Sequence, residues 1–130
     1  IIFTRKDGRI HFIDLYRSRE KDYVQDVSVF LVSNFRMPVF DREVRRRLGM
    51  VIDDFRAFAS AFAEGAGDGT FAARVALGLA RSFATSTRFI LDAEFARALF
   101  LRARYLLERF VEHEGKDWES FTLPSDVLVY

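Results

Sequence analysis

Three aspartates follow the first apolar stretch of the chain and are the residues best suited to carry out chemistry. Asp14 comes directly after residues 9–13, and Asp22 and Asp26 follow it at intervals of eight and four residues. A carboxylate at the end of a strand can hold Mg²⁺ over bound phosphates, because this ion binds one or two carboxylates together with phosphate oxygens. Single carboxylates are weak signals, so the residues alone favour a plainer interpretation, in which Asp14 begins a turn and Asp26 caps a helix.

A β-hairpin is predicted to position the first of these aspartates. Asp7 and Gly8 form a turn signal between two short β-like runs, residues 1–4 and residues 9–13. Residues 17–22 are polar and strongly charged, which predicts a loop between the hairpin and the first helix. Asp14 would then lie where the second strand gives way to this loop.

The spacing resembles that of the aminoglycoside phosphotransferase family and of related small-molecule kinases such as choline kinase. The resemblance rests on Ile13-Asp14, on Asp22 and Asp26, and on Gly8 in the turn before the strand. It implies that Asp14 binds the Mg²⁺ carried by ATP. It also implies that Asp26 lies near the start of a buried helix and braces the catalytic loop, with Asp22 as further structural support of that loop.

The remaining catalytic parts of such a kinase would precede this chain. The family's catalytic loop is a His-Gly-Asp run with an Asn five residues beyond that Asp, and residues 1–130 contain neither this run nor the amino-terminal lobe that clamps ATP. The chain also departs from the family at Tyr16 and Tyr23, where Gly and Pro are frequent. Ile1, in place of an initiator Met, agrees with a carboxyl-terminal lobe cut from a longer protein. We therefore expect no catalytic residue in this segment and no activity from it alone.

The resemblance implies transfer of the ATP γ-phosphate to a hydroxyl of a small molecule in the cytoplasm, with Mg²⁺ as cofactor and an aminoglycoside, amino sugar or amino alcohol as acceptor. Acidic side chains of the helical lobe hold the cationic substrate in this family. The candidate substrate-binding residues are accordingly the late acidic ones, Glu108, Glu112, Glu114 and Asp117. The residues alone favour a solvated helix end at these positions.

Two further interpretations stay open. The run Ile-Asp-Leu-Tyr-Arg at residues 13–17 resembles the Ile-Asp-Leu-His-Arg run of the lipopolysaccharide-core sugar kinases. The long amphipathic helices after the motif fit the aminoglycoside type better. In a different class of protein, the chain would be a non-catalytic helical interaction or dimerisation module that binds through its Phe-rich faces.

The composition indicates one globular domain. Half of the residues are hydrophobic and 15 of the 130 are Phe, which suffices for a sizeable core. Twenty basic side chains nearly cancel 19 acidic ones, so there is no basic footprint for nucleic acid. The absence of cysteine excludes disulfides and thiolate chemistry and is compatible with a reducing cytoplasm. No apolar run approaches the roughly 20 residues that a membrane-spanning helix needs.

The predicted fold class is mainly α with a small amino-terminal β-hairpin, the helical carboxyl-terminal lobe of a protein-kinase-like α+β fold. The hairpin occupies residues 1–14, a helical bundle residues 21–114 and a tail residues 115–130. The four helices are predicted at residues 23–35, 42–64, 71–89 and 93–114, with Asp41, Asp92 and either Asp68 or Thr70 as N-caps and Gly115 as a C-terminal stop. The four valines and two Phe of residues 23–35 would also permit a strand there.

The apolar residues of the second and fourth helices recur at intervals of three and four and are predicted to face the core. They are Val44, Leu48, Val51, Ile52, Phe55, Phe58, Ala59 and Phe62 in the second helix, and Phe95, Leu99, Leu106 and Phe110, widened by Phe100, Leu107 and Val111, in the fourth. Gly78 in the third helix predicts a close approach by a neighbouring helix.

The clustered arginines and the two histidines suggest no site. The three arginines at residues 45–47 fan around a helix instead of converging, which predicts a solvated face. His11 alternates with apolar neighbours on its strand and is predicted to lie at the surface. His11 and His113 are far apart in the sequence with no cysteine to join them, so we expect no zinc site.

Overall fold

The computed structural model describes residues 2–13 and 20–129 and is mainly helical. In chain order the main elements are strands β1 (Ile2–Thr4) and β2 (Arg9–His11) and helices α1 (Val24–Phe35), α2 (Arg42–Gly65), α3 (Phe71–Ser86) and α4 (Ala93–Glu112). Short 3₁₀ helices at Thr87–Phe89 and Trp118–Ser120 follow α3 and α4. The predicted hairpin and the four predicted helices are confirmed.

The hairpin forms because its turn residues accept the required backbone geometry. Gly8 has a φ of 66°, a value that glycine adopts without steric cost, and its N–H donates to the carbonyl of Thr4 at 2.9 Å. The antiparallel register places Phe3 opposite Ile10 on one face, and their side chains are 59% and 60% exposed. Among the described elements, the strands contact only each other.

Helix α3 lies at the centre of the bundle, since it contacts α1, α2 and α4. Its buried residues include Val75, Leu79 and Phe83, and the ring of Phe83 meets that of Phe35 of α1 edge to face at 5.5 Å. The predicted close approach at Gly78 is confirmed, because a Cβ built there would lie 2.7 Å from the Oγ of Ser28 in α1. The absence of a side chain at this position lets the two helices cross closely.

The helix caps agree with the sequence in two cases and differ in a third. Asp41 accepts from the N–H of Val44 at 2.9 Å, and Asp92 accepts from that of Phe95 at 2.7 Å. At the start of α3, Thr70 occupies the N-cap position, but its side chain makes no capping hydrogen bond. The predicted N-cap position at Thr70 is therefore confirmed, while Asp68 is engaged elsewhere and neither side chain caps α3.

The predicted core faces of α2 and α4 are only partly correct. In α2 the buried residues are Ile52, Ala59 and Ala63, and in α4 they are Leu99, Ala103 and Leu106. Phe55 of α2 and Phe95 and Phe110 of α4 are partly buried and pack against this core. Seven residues predicted to face the core are exposed: Val44, Val51, Phe58 and Phe62 in α2, and Phe100, Leu107 and Val111 in α4.

Arg45 does not belong to a solvated face, which corrects the prediction for residues 45–47. Its guanidinium donates to the carbonyls of Phe35, at 2.9 Å, and of Met37, and its Nε donates to the carbonyl of Val39. These carbonyls belong to the end of α1 and the connection to α2, so Arg45 satisfies backbone acceptors that the end of a helix leaves unpaired. The prediction holds for the other two arginines, which are exposed.

None of the helices in the described part of the chain is long and apolar enough to cross a membrane.

Candidate functional site

A polar cluster lies where the chain enters the helical bundle, and it comprises Asp22, Tyr23, Asp68 and Arg74. We call it the Asp68 cluster. Asp22 and Tyr23 immediately precede α1, and Arg74 lies in the first turn of α3. Asp68 follows Gly67, whose φ of 68° ends α2 in a Schellman motif with the N–H of Asp68 bound to the carbonyl of Ala63 at 2.9 Å.

The four side chains of the cluster form a continuous hydrogen-bonded chain. The Oη of Tyr23 donates to Oδ2 of Asp68 at 2.5 Å, and Nη2 of Arg74 donates to the same oxygen. Nη1 of Arg74 donates to Oδ2 of Asp22 at 2.5 Å. The other carboxylate oxygen of Asp22 accepts from the N–H of Val24 at 3.0 Å. The residues before α1 therefore bind both Asp68 in the α2–α3 connection and Arg74 in the first turn of α3.

Aromatic contacts hold the tyrosine of the cluster in place. The ring of Tyr23 stacks on Phe71 of α3 with centroids 6.1 Å apart and meets Phe62 of α2 edge to face at 5.5 Å. The guanidinium of Arg74 lies 5.7 Å from the centroid of the Tyr23 ring. Tyr23 occupies the position where the resembling kinases often have proline, and here it contacts both α2 and α3.

The protonation states of the Asp68 cluster fit a structural role better than a role in acid–base catalysis. The hydrogen bond from Tyr23, aided by Arg74, holds the pKa of the Asp68 carboxyl below its ordinary value of 3.8. Partial burial, and then the hydrogen bond to Asp68, raise the pKa of Tyr23 above its ordinary value of 10.0. Near neutral pH the cluster is therefore an ionised carboxylate between a neutral phenol and a guanidinium, because the pKa of Asp68 is lowered and that of Tyr23 is raised.

We expect Asp68→Asn to lower the free energy of unfolding by about 1–2 kcal/mol at pH 7, because it removes charge-assisted hydrogen bonds at a largely buried site. A carboxyl with a lowered pKa in the folded state stabilises the fold above its unfolded pKa, and this stabilisation is lost as the pH falls through the folded value. The difference from the wild type should therefore shrink below pH 3.8, the ordinary pKa of this carboxyl. Denaturant unfolding across this pH range measures it.

Asp126→Asn provides the matched control, since Asp126 is exposed and lies outside the cluster. Asp126→Asn should change the free energy of unfolding little, both at pH 7 and below pH 3.8. Tyr23→Phe keeps the ring and removes only the phenolic donor, so we expect a smaller loss than for Asp68→Asn. Equal stability of Asp68→Asn and the wild type at pH 7 would contradict this account of the cluster.

The three aspartates of the sequence motif are placed differently. Asp14 lies outside the described residues, as does most of the run at residues 13–17 that resembles the sugar kinases. Asp22 is the one that joins the Asp68 cluster. Asp26 lies in the first turn of α1 with its side chain exposed. The predicted position of Asp26 near the start of a helix therefore agrees with the structure.

The four late acidic residues do not form one wall. Glu108 and Glu112 line an apolar groove of about 490 Å³ between α3 and α4, and each pairs with an arginine of its own helix at 2.7 Å. Glu114 is exposed beyond the end of α4. Asp117 accepts from the N–H of Glu119 at 3.0 Å and begins the last 3₁₀ helix. Only the first two share a surface with room for a ligand.

Metal-binding residues are not grouped within residues 2–13 and 20–129, where no three His, Asp or Glu side chains are placed to hold an ion. The predicted metal ligand, Asp14, is not among these residues.

Arg74 was not predicted as a site residue, and Asp68 was predicted only as a possible helix cap. Tyr23 and Asp68 are 45 residues apart in the chain, and Asp22 and Arg74 are 52 apart. No spacing rule links positions so distant. The sequence does show a carboxylate, Asp68, in a glycine-rich connection and an arginine, Arg74, in the helix that follows. This pattern does not predict which other residues the two side chains contact.

Comparison of the chain with known protein families, with curated proteins and with solved structures gives no match to any of them.

Proposed function

We propose that this chain is the carboxyl-terminal lobe portion of an ATP-dependent small-molecule kinase, which phosphorylates a hydroxyl of an amino sugar, aminoglycoside or amino alcohol. The observation that carries the proposal is the order of elements around the three aspartates. An antiparallel hairpin comes just before Asp14, Asp22 directly precedes α1, and Asp26 lies in the first turn of that helix. This is the order that the resembling kinases use around their metal-binding aspartate.

The anchoring of Asp22 supports the structural role proposed for it. Its two carboxylate oxygens bind Arg74 and the N–H of Val24, so the end of the segment that follows Asp14 is fixed to the helical bundle. Asp26 is exposed, which suits a side chain whose proposed partner, the catalytic loop, is supplied by another part of the kinase.

A single carboxylate from this chain fits the proposed magnesium ion. Mg²⁺ in nucleotide sites keeps several waters and takes one or two carboxylates plus phosphate oxygens, so Asp14 would suffice as this segment's ligand. The ion would neutralise charge that develops on the transferred phosphoryl group. The proposal places ATP, the catalytic base and the nucleotide clamp on the remaining part of the kinase, in the cytoplasm.

The groove between α3 and α4 is the proposed acceptor surface of this segment. Glu108 and Glu112 line it together with three exposed apolar side chains, those of Phe100, Leu107 and Val111. Both carboxylates already pair with Arg104 and Arg109, so a cationic acceptor has to compete with these guanidinium groups. The groove would suit an acceptor whose amines bind the carboxylates and whose apolar face packs on the apolar side chains.

The test is phosphoryl transfer from labelled ATP by the longer protein that carries the catalytic loop, with Mg²⁺ and a panel of acceptors. We expect transfer to amino-sugar or amino-alcohol hydroxyls and none from the 130-residue chain alone. Transfer only to a lipopolysaccharide-core sugar would identify the alternative kinase. Absence of transfer to every acceptor, with no ATP turnover, would contradict the proposal and favour the helical interaction module.

A further inference from the structure

Helix α2 has an apolar stripe that no described element covers. Val44, Val51 and Phe58 recur every seven residues and are 41%, 43% and 66% exposed. Residues seven apart lie on the same face of a helix, two turns from one another. The core contacts of α2 are made by a different face, which carries the buried Ile52 and Ala59. The stripe is therefore an additional surface beyond the one that holds the bundle together.

Opposite charges flank this stripe at nearly equal distances from its centre. Arg47 lies four residues before Val51, and Asp54 lies three residues after it. The two are seven residues apart, so they lie on the same flank, and both are exposed. Nε of Arg47 donates to Glu43 at 3.0 Å, and a guanidinium has further N–H donors that can bind a second carboxylate.

We propose that two copies of this chain associate through α2, antiparallel and about a two-fold axis near Val51. Rotation about this axis places Val44 against Phe58 of the second copy and Val51 against its own equivalent. It also places Arg47 opposite Asp54 of the second copy, twice by symmetry. The surface is thus complementary to itself, as a two-fold interface requires.

The charges select the antiparallel arrangement over a parallel one. In an antiparallel two-fold pair the flank that carries Arg47 and Asp54 lies against the same flank of the second copy, so opposite charges meet. In a parallel two-fold pair this flank would lie against the opposite flank of the second copy, and the Arg47–Asp54 pairs would not form. The second copy is also a better occupant than a helix of unknown sequence, because it supplies both the apolar pattern and the reversed charges. This proposal is independent of the proposed kinase activity.

The contact is small, so the association should depend on concentration. The stripe from Val44 to Phe58 spans about 21 Å at a rise of about 1.5 Å per residue. A single pair of helices in contact over this length buries less than the roughly 800 Å² per partner of a standard interface. We therefore expect a dimer with a dissociation constant of about 10–100 μM.

Sedimentation equilibrium of the 130-residue chain from about 5 to about 500 μM brackets that range. The weight-average mass should rise with concentration from 15.1 kDa towards twice that value. Arg47→Asp and Asp54→Arg should each weaken association about tenfold or more, because each places like charges opposite one another. The double reversal, Arg47→Asp with Asp54→Arg, restores opposite charges and should restore association.

Phe58→Ser and Leu107→Ser provide a matched pair, since each removes an exposed apolar side chain from a different helix. We expect Phe58→Ser to abolish association and Leu107→Ser, in the α4 groove, to leave it unchanged. Circular dichroism and thermal unfolding establish that each variant is folded.

A mass that stays at 15.1 kDa over the whole range would overturn the proposal. Loss of association in Leu107→Ser but not in Phe58→Ser would also overturn it and would assign the interface to α4. A double reversal that associates no better than the single variants would contradict the antiparallel register.

Discussion

In the longer kinase that we propose, Asp14→Asn should lower kcat by about 10²–10³-fold, the scale on which removing one group that stabilises transition-state charge usually acts. The change keeps the size of the side chain and removes the negative charge that, on our proposal, would hold Mg²⁺. Because the proposed role is metal binding, the variant should also need a higher Mg²⁺ concentration for half-maximal activity. Steady-state kinetics at a series of Mg²⁺ concentrations separate the two effects.

Asp7→Asn is the matched control for this prediction. It makes the same chemical change seven residues earlier in the chain, at an exposed side chain in the hairpin turn that accepts from the N–H of Arg9 at 3.2 Å and pairs with its guanidinium at 3.7 Å. We expect near wild-type activity and an unchanged Mg²⁺ requirement. Full activity of a folded Asp14→Asn protein would mean that Asp14 only begins a turn, and the kinase proposal would lose its metal site.

Gly78→Ala should destabilise the bundle, although alanine is the better helix former by about 1 kcal/mol. The added Cβ would lie 2.7 Å from Oγ and 2.9 Å from Cβ of Ser28. Rotation of the Ser28 side chain can move its Oγ, but its Cβ is fixed to the backbone of α1. The two helices must therefore separate, at a cost of about 1–3 kcal/mol that exceeds the gain in helix propensity. Gly78→Val should cost more, since it adds two further carbons.

Gly49→Ala is the control, because it makes the same substitution inside α2. A Cβ at Gly49 meets no described heavy atom within 4 Å, so we expect this variant to gain about 0.5–1 kcal/mol. Ser28→Gly combined with Gly78→Ala removes the contact and should recover most of the lost stability. Denaturant unfolding of the wild type and the four variants measures these changes, and a Gly78→Ala protein as stable as Gly49→Ala would refute the close crossing.

Local sequence signals were sufficient for the elements of the fold. The turn at Gly8 and the caps at Asp41 and Asp92 act on neighbouring residues, so their geometry follows from spacing alone. The close approach at Gly78 was also predicted, from a glycine inside an alanine-rich helix. Gly49 of α2 meets no described atom within 4 Å, so a glycine inside a helix does not by itself establish a close approach. The residue that meets Gly78, Ser28, could not be named, because the crossing of α1 and α3 depends on the whole bundle.

The burial of apolar residues was harder to predict than their periodicity. The spacing of Val44, Val51 and Phe58 correctly places them on one face of a helix. Whether another element covers that face is not a local property, and in α2 the core uses the neighbouring face that carries Ile52 and Ala59. The same limit applies to the Asp68 cluster, whose members come from distant parts of the chain.

The tail after α4 contains a fluorescent residue that reports on one local contact. Trp118 is the only tryptophan, and its indole stacks on Phe110 of α4 with centroids 4.4 Å apart and lies 5.3 Å from the ring of His113. Its fluorescence therefore reports the docking of the tail on the end of α4, whereas circular dichroism reports the helices. If the two signals change at different denaturant concentrations, the tail detaches before the bundle melts, and unfolding is not two-state.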